Sequence, residues 1–437
     1  MEGTFVRRNG RCFVPAQIAV KDESPPPTSS VGRLDFIVFP VDLRPEEREA
    51  YFRALGVGES RLPGVLSRCG WRCIQTSGIK AAIADLLREE SQAMGVEIVL
   101  PEAWPSGPAP IAIMAHAGQL AALAGHIKSR VPALRPVAEA LNDCLTRIDR
   151  PRTLLAGGRD LLAGRAFLIM GIVNVTPDTF SDGGRFFNPQ EAIAHGIRMV
   201  EEGAHILDLG AESSRPGSDP VGETEELRRL MRVLDGLRKA LPEMVLSVDT
   251  TKAAVAAAAL DGGADLINDI SGGAADAGML SLCARRGVPV VLMHMRSAPK
   301  TMQAAPHYAD PVAEVTAELR ARVEAAEAEG LGPGQLVVDP GFGFAKRPAD
   351  NLACIAHLEA LSSLGYPILV GASRKSSIGA ITGAPVDERL PGTIALHTAA
   401  LLKGASIFRV HDVKAHAQAL TCAAALLKPI PSVPCAG

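Results

Sequence analysis

Residues 168–174 read Leu-Ile-Met-Gly-Ile-Val-Asn, an unbroken apolar run that stops at an amide. A strand buried on both faces has this continuous pattern, whereas a half-exposed strand alternates. The form recurs at 205–210, 244–249, 265–268, 288–294, 335–339, 367–371 and 405–410, and each run ends in polar, potentially reactive residues. Ala-rich helical stretches such as Lys252–Leu260 and Val312–Glu329 fill the gaps. Alternating strands and helices in this number favour a closed parallel barrel over an open sheet. The expected fold class is therefore α/β, with a (β/α)8 TIM barrel over 151–437. Residues 153–167 read as a short hairpin able to plug the barrel floor.

The chain before the barrel has a different texture. Residues 1–33 form an N-terminal segment and a Pro/Ser-rich linker, Lys-Asp-Glu-Ser-Pro-Pro-Pro-Thr-Ser-Ser-Val-Gly-Arg over 21–33. Residues 34–150 read as a small accessory α/β or α+β domain. Its expected strands are Phe36–Val41 and Val96–Leu100, and its helices Ala81–Gly95 and Gly118–Arg130. It carries no phosphate-loop or dinucleotide signature.

Composition narrows the class. The 437 residues are 47% hydrophobic and 21% charged, enough for a large barrel and a second domain. A net charge of -3 with dispersed cations gives no case for nucleic acid or a membrane surface as partner. The window Ile111–Ile127 holds His116, Gln119 and His126 and is too short to span a bilayer. The eight cysteines make no disulfide framework in a chain of this length, and a cytoplasmic location is expected. Cys69 and Cys73 have no second ligand pair to close a metal site.

The strand ends deliver Asn174; Asp208 and Glu212; Asp249; Asn268 and Asp269; His294; Asp339; Ser373, Arg374 and Lys375; and Arg409, His411 and Asp412. Singly, a strand-end Asp is more often a helix cap than a catalyst. Together at one barrel mouth they suit two tasks. Arg409 and His411, two apart on one strand, point the same way and suit an anion such as phosphate. Ser213, Ser214 and Arg215, before Pro216-Gly217, add hydroxyls and another cation. Asp249, Asn268 and Asp339 offer acceptors and an amide to a flat, donor-rich heterocycle. There is no HExxH, GxSxG, Walker loop or strand-borne GxGxxG, so serine-triad and hydride chemistry have little support.

Taken in order, MGIVNVTPDTFSDGG (170–184), ILDLGAESSRPGS (206–218), SVDTTK (247–252), INDISGG (267–273), LMH (292–294), VVDPGFGFAK (337–346), GASRKSSIG (371–379) and FRVHDV (408–413) resemble the dihydropteroate synthase family. The resemblance covers roughly residues 151–428. It implies a transferase of folate biosynthesis that joins 6-hydroxymethyl-7,8-dihydropterin diphosphate to p-aminobenzoate, releasing pyrophosphate and 7,8-dihydropteroate. It implies that Asp249, Asn268, Met293, Asp339 and Lys375 bind the pterin. Asn174, Ser214, Arg409 and His411 bind the diphosphate, with Asn174 a ligand of Mg²⁺. Arg215, Pro216, Phe342, Phe344 and Ser376 line the aminobenzoate slot. Lys375, Arg409, His411 and Asp249 carry the chemistry, and the state implied is a homodimer. Ser214 stands where threonine is frequent, Thr179 where serine is, and Ala345 where glycine is. A positive φ at Ala345 would bear on the loop's shape. A pterin-binding methyltransferase domain and a non-catalytic pterin-binding paralogue are the alternatives.

Overall fold

The structure is a computed structural model that describes residues 70–175, 188–212, 221–296 and 306–427, with short pieces before residue 64 and residue 302. A small hairpin, β1 (Val6–Arg8) with β2 (Arg11–Phe13), precedes the N-terminal domain. That domain is α+β. Its strands β3 (Trp71–Ile79), β4 (Glu97–Val99) and β5 (Ala109–His116) form an antiparallel sheet in the order β3-β5-β4. Helices α1 (Ala81–Gln92), α2 (Ala117–Arg130) and α3 (Arg135–Ile148) accompany it, and Leu87, Ile113, Leu120, Leu123, Ile127 and Leu134 share its core. The strand expected at Phe36–Val41 lies outside the described residues, as does Cys69.

Residues 155–156 (β6) and 159–160 (β7) form the expected hairpin, turning through Gly157 and Gly158. Both glycines have positive φ, 57° and 73°. That is the demand of a two-residue type I′ turn, and it explains the Gly-Gly pair. The barrel follows. Its strands are β8 (Leu168–Asn174), β9 (Ile206–Gly210), β10 (Val245–Asp249), β11 (Leu266–Asp269), β12 (Val290–Met293), β13 (Leu336–Asp339), β14 (Leu369–Val370) and β15 (Ile407–Val410). Between them run α4 (Pro189–Glu201), α5 (Glu223–Ala240), α6 (Ala253–Asp261), α7 (Gly278–Arg286), α8 (Pro311–Ala328), α9 (Pro348–Ala356), α10 (Ser376–Thr382) and α11 (Leu390–Leu402), and α12 (Val413–Ala425) follows the last strand. The strand order is β13-β12-β11-β10-β9-β8-β15-β14, and every ladder is parallel. A bridge between Val338 and Ile368 joins β13 to β14 and closes the ring.

The caps locate the helices. Asp310 accepts from the Val312 and Ala313 amides at 3.1 and 3.0 Å ahead of Pro311, and Asn188 accepts from Gln190 at 3.0 Å ahead of Pro189. The run expected as a strand at 367–371 is shorter, because only Leu369 and Val370 pair regularly with β15. Helix α3 docks the N-terminal domain on the barrel. Arg147 forks onto Glu327 at 2.9 and 3.0 Å and reaches the Leu364 carbonyl at 3.1 Å, while Arg320 meets Asp143 at 2.9 Å.

Candidate active site

The barrel interior has an apolar floor. Leu154, Ala156, Leu161 and Leu162 of the hairpin region pack with Leu168, Met170, Ile206, Val245, Leu266, Val291, Val337, Leu369 and Ile407. Side chains on a strand repeat direction every second residue. Two residues beyond the floor, Ile206 gives way to Asp208, Val245 to Ser247, Leu266 to Asn268, Val337 to Asp339 and Ile407 to Arg409. Another step reaches Asp249 and His411. The period that packs the floor thus puts the polar residues in the mouth.

These groups bond across the barrel. Asp208 is fully buried and accepts from Ser247 Oγ at 2.6 Å, Asn268 Nδ2 at 3.0 Å and Arg409 Nε at 2.6 Å. Arg409 Nη2 donates to Asp249 Oδ2 at 2.9 Å. Burial pushes the Asp249 carboxyl up and the nearby Asp208 adds to this, while Arg409 opposes both. Asp339 accepts from the Gly341 amide at 2.6 Å, and burial raises its carboxyl as well. Lys375 donates to the Phe342 carbonyl, and its ammonium lies 3.9 Å from the Phe344 ring centroid. Burial pushes Lys375 down to about 7, against the pull of Asp339. Low-dielectric surroundings penalise each charged form, so the cluster calls for a polar ligand to complete it.

Around this centre, Ser373 Oγ lies 2.9 Å from His411 Nδ1. Met293, Phe344, Ala345 and Met302 form a separate apolar cluster. Asn174 ends β8 and is exposed; Ser376 begins α10 and is exposed. Phe342 is 2% exposed and packs in the core between barrel and helices rather than in the Met293 cluster. Asp269 folds onto its own loop, accepting from Ser271 N, Ser271 Oγ and Gly273 N at 2.8, 2.7 and 2.8 Å. Ser214, Arg215 and Pro216 lie outside the described residues. A cavity of about 360 Å³ is lined by Gly343, Lys346, Arg347 and Ser376 among others. A larger hollow of about 450 Å³ lies in the N-terminal domain, where Arg72 is already paired with Asp149.

Two networks escape the sequence reading. Lys252 bridges Glu212 and the buried Glu226 at 2.5 Å each, and Thr250 Oγ1 adds a bond to Glu226 at 2.7 Å. Lys346 is 2% exposed and sits 2.8 Å from His294 Nδ1, with His294 Nε2 3.1 Å from Glu318. A lysine closing a glycine-rich strand-end loop was the available signal. The residue at φ 47° beside it is Ala345.

The pterin-binding enzyme family model matches residues 170–411. The sequence is 44% identical over 264 residues to a dihydropteroate synthase of Synechocystis sp., covering 60% of this chain and 91% of that one. It is 46% identical over 273 residues to one of Mycobacterium leprae, covering 61% and 95%. A Xanthomonas albilineans dihydropteroate synthase solved with 4-aminobenzoic acid superposes at TM-score 0.58 and 46% identity, over 63% of this chain and 99% of that one. The same organism's enzyme in complex with 7,8-dihydropteroate gives 0.54 and 43%, over 67% and 99%. The chain belongs to the pterin-binding enzyme family. Within it, the activity is that of the dihydropteroate synthases, a transferase reaction.

Proposed function

We propose that the barrel mouth holds 6-hydroxymethyl-7,8-dihydropterin diphosphate by its two ends and presents it to p-aminobenzoate. The carrying observation is the cross-barrel cluster of Asp208, Asp249, Asn268, Asp339, Lys375 and Arg409. An aminopyrimidinone edge supplies further donors to Asp249 and Asp339, each of which has lone pairs to spare beyond its bond to Arg409 or to the Gly341 amide, and Asn268 can both give and accept. Met293 packs on the ring face, and Lys375 addresses the carbonyl side. Asp208, which binds no substrate in this reading, orients Asn268 and Arg409. The two bonds of Arg409 use Nε and Nη2, which leaves Nη1 for a phosphate oxygen. His411 adds a second donor.

Loss of diphosphate leaves an electron-poor methylene that the aromatic amine attacks. Catalysis then consists of stabilising the departing charge by Arg409 and His411. A weakly basic aromatic amine attacks without prior deprotonation, so no strong base is needed. Among the described residues no group of three or more His, Cys, Asp or Glu is placed to hold a metal. Asn174, a lone oxygen donor at the mouth, fits a Mg²⁺ that arrives on the diphosphate, as this ion prefers phosphate and water ligands. When bound, the ion supplies positive charge to the leaving group. Phe344 and Ser376 border the proposed aminobenzoate slot, with the buried Phe342 backing it.

The described cysteines Cys73, Cys144, Cys283, Cys354 and Cys422 are free, which supports the proposed cytoplasmic location. No helix among the described residues is long and apolar enough to cross a membrane. A homodimer and an accessory role for residues 34–150 are proposed from the family resemblance. Mixing the protein with Mg²⁺, the pterin diphosphate and p-aminobenzoate should release pyrophosphate and form 7,8-dihydropteroate in equal amounts. Neither product forming would refute the reading. Removing residues 1–149 should leave turnover intact; a folded but inactive barrel would give that domain a catalytic part.

A further inference from the structure

We propose that Lys346 is a positioning residue for this reaction: its buried ammonium fixes the loop Gly341–Phe344 and through it aims Asp339 and Lys375 at the pterin. The proposal rests on the reading of Asp339 and Lys375 as pterin-binding groups. Lys346 Nζ lies 2.8 Å from His294 Nδ1, 3.2 Å from the Phe344 carbonyl, 3.3 Å from the Gly341 carbonyl and 3.5 Å from the His294 carbonyl. A cation among converging carbonyl oxygens removes their mutual repulsion and satisfies them where water has no access. The loop needs that help. Gly341, Gly343 and Ala345 all have positive φ, at 67°, 81° and 47°.

Two backbone groups of the loop touch the proposed pterin site. The Gly341 amide donates to Asp339, and the Phe342 carbonyl accepts from Lys375. The fit is close on both sides. A Cβ on Gly341 would fall 2.0 Å from the His294 carbonyl oxygen, and one on Gly343 would fall 2.6 Å from Lys375 Cδ. A displaced loop therefore moves both groups together. His294 completes the cage. Its ring is neutral, since burial and then the charge of Lys346 push it down to about 2. Nδ1 thus accepts from the ammonium while Nε2–H faces Glu318, itself held by Arg296 at 2.9 Å. A buried ammonium is costly, and methionine would fill the same space. The charge makes sense as the device that holds the loop.

The test measures pterin-diphosphate affinity by calorimetry with Mg²⁺, steady-state kcat and KM, and melting temperature, all on the full chain. Lys346→Met is expected to lose at least tenfold in pterin affinity and in kcat/KM. His294→Gln, which keeps an acceptor for the ammonium, should stay within threefold, and His294→Leu should lose more than His294→Gln. Leu154→Ala on the barrel floor is the control for simple destabilisation and should keep wild-type affinity in its folded fraction. Wild-type pterin affinity in Lys346→Met, or an equal loss in Leu154→Ala, overturns the proposal. Should Lys346→Met not fold, the His294 pair decides: equal affinities in the Gln and Leu variants overturn it. Asp339→Ala separates the two levels. If it retains affinity, the pterin-site reading itself fails; if it loses affinity while Lys346→Met does not, only the positioning role fails.

Discussion

The floor and the mouth of the barrel are made by the same strands, two residues apart, yet they obey opposite rules. On the floor, Leu154, Met170, Ile206, Leu266, Val291, Val337, Leu369 and Ile407 fill space and make no polar demands. In the mouth, Ser247, Asn268 and Arg409 all donate to the one carboxylate of Asp208, and Arg409 also holds Asp249. Burial of the first set drives folding, at about 25 cal/mol per Å² of apolar surface. Desolvation of the second works against folding unless each charge finds its partner. The lesson is a division of labour along each strand: one end provides the stability that lets the other hold strained electrostatics.

The largest expected effect breaks the mouth. Arg409→Met leaves Asp208 and Asp249 without their cation and should cost about 3–5 kcal/mol of stability. Adding Asp208→Asn should recover part of that loss in denaturant unfolding. Additive losses in the double variant would show that the two residues do not share one network. On the floor, Leu154→Ala should cost about 2–5 kcal/mol. Its folded fraction should turn over normally, and a fall in kcat of the folded enzyme would mean that floor and mouth are not separable.

A third test uses pH. His294 in the native chain takes no proton until about pH 2, because burial and then Lys346 disfavour its charged form. The unfolded chain takes one near pH 6.5, so this group's contribution to stability falls as pH drops below that value. The slope approaches about 1.4 kcal/mol per pH unit. The stability gap between wild type and His294→Gln should therefore shift against the wild type on acidification. A gap that stays constant between about pH 7 and about pH 5 would contradict it. The smallest effect sharpens the comparison at one alanine. Ala345→Gly relieves a left-handed residue, worth about 1 kcal/mol, but forfeits a buried methyl worth about 0.8. It should be near neutral, whereas Ala259→Gly inside α6 should cost about 2 kcal/mol from propensity and lost burial together. Equal melting-temperature losses would show that Ala345 is unstrained.

Much of this was legible in sequence because a barrel strand announces itself twice, by its aliphatic run and by the polar residue that stops it. Asp249, Asn268, Asp339, Lys375 and Arg409 stand together at the mouth for that reason. What pattern cannot give is the direction a long side chain takes across the barrel. Arg409 reads as a phosphate ligand, and its forked hold on Asp208 and Asp249 comes only from the ring closing. Lys346 was hidden for a related reason: it lies in a glycine-rich loop seven residues beyond the end of its strand at Asp339, where periodicity ends. Ala345 is the exception, since departure from glycine at one position pointed to a backbone angle that the structure shows.

The ring itself is closed unevenly. Seven ladders are continuous, but β13 and β14 meet at a single bridge, with the Val338 amide donating to the Pro367 carbonyl at 2.9 Å. Where so few backbone bonds join neighbours, local opening is least costly. Asp339 follows Val338 directly, so breathing of this seam would slacken the proposed hold of Asp339 on the pterin before any other part of the wall gives way, and deuterium should enter the barrel there first.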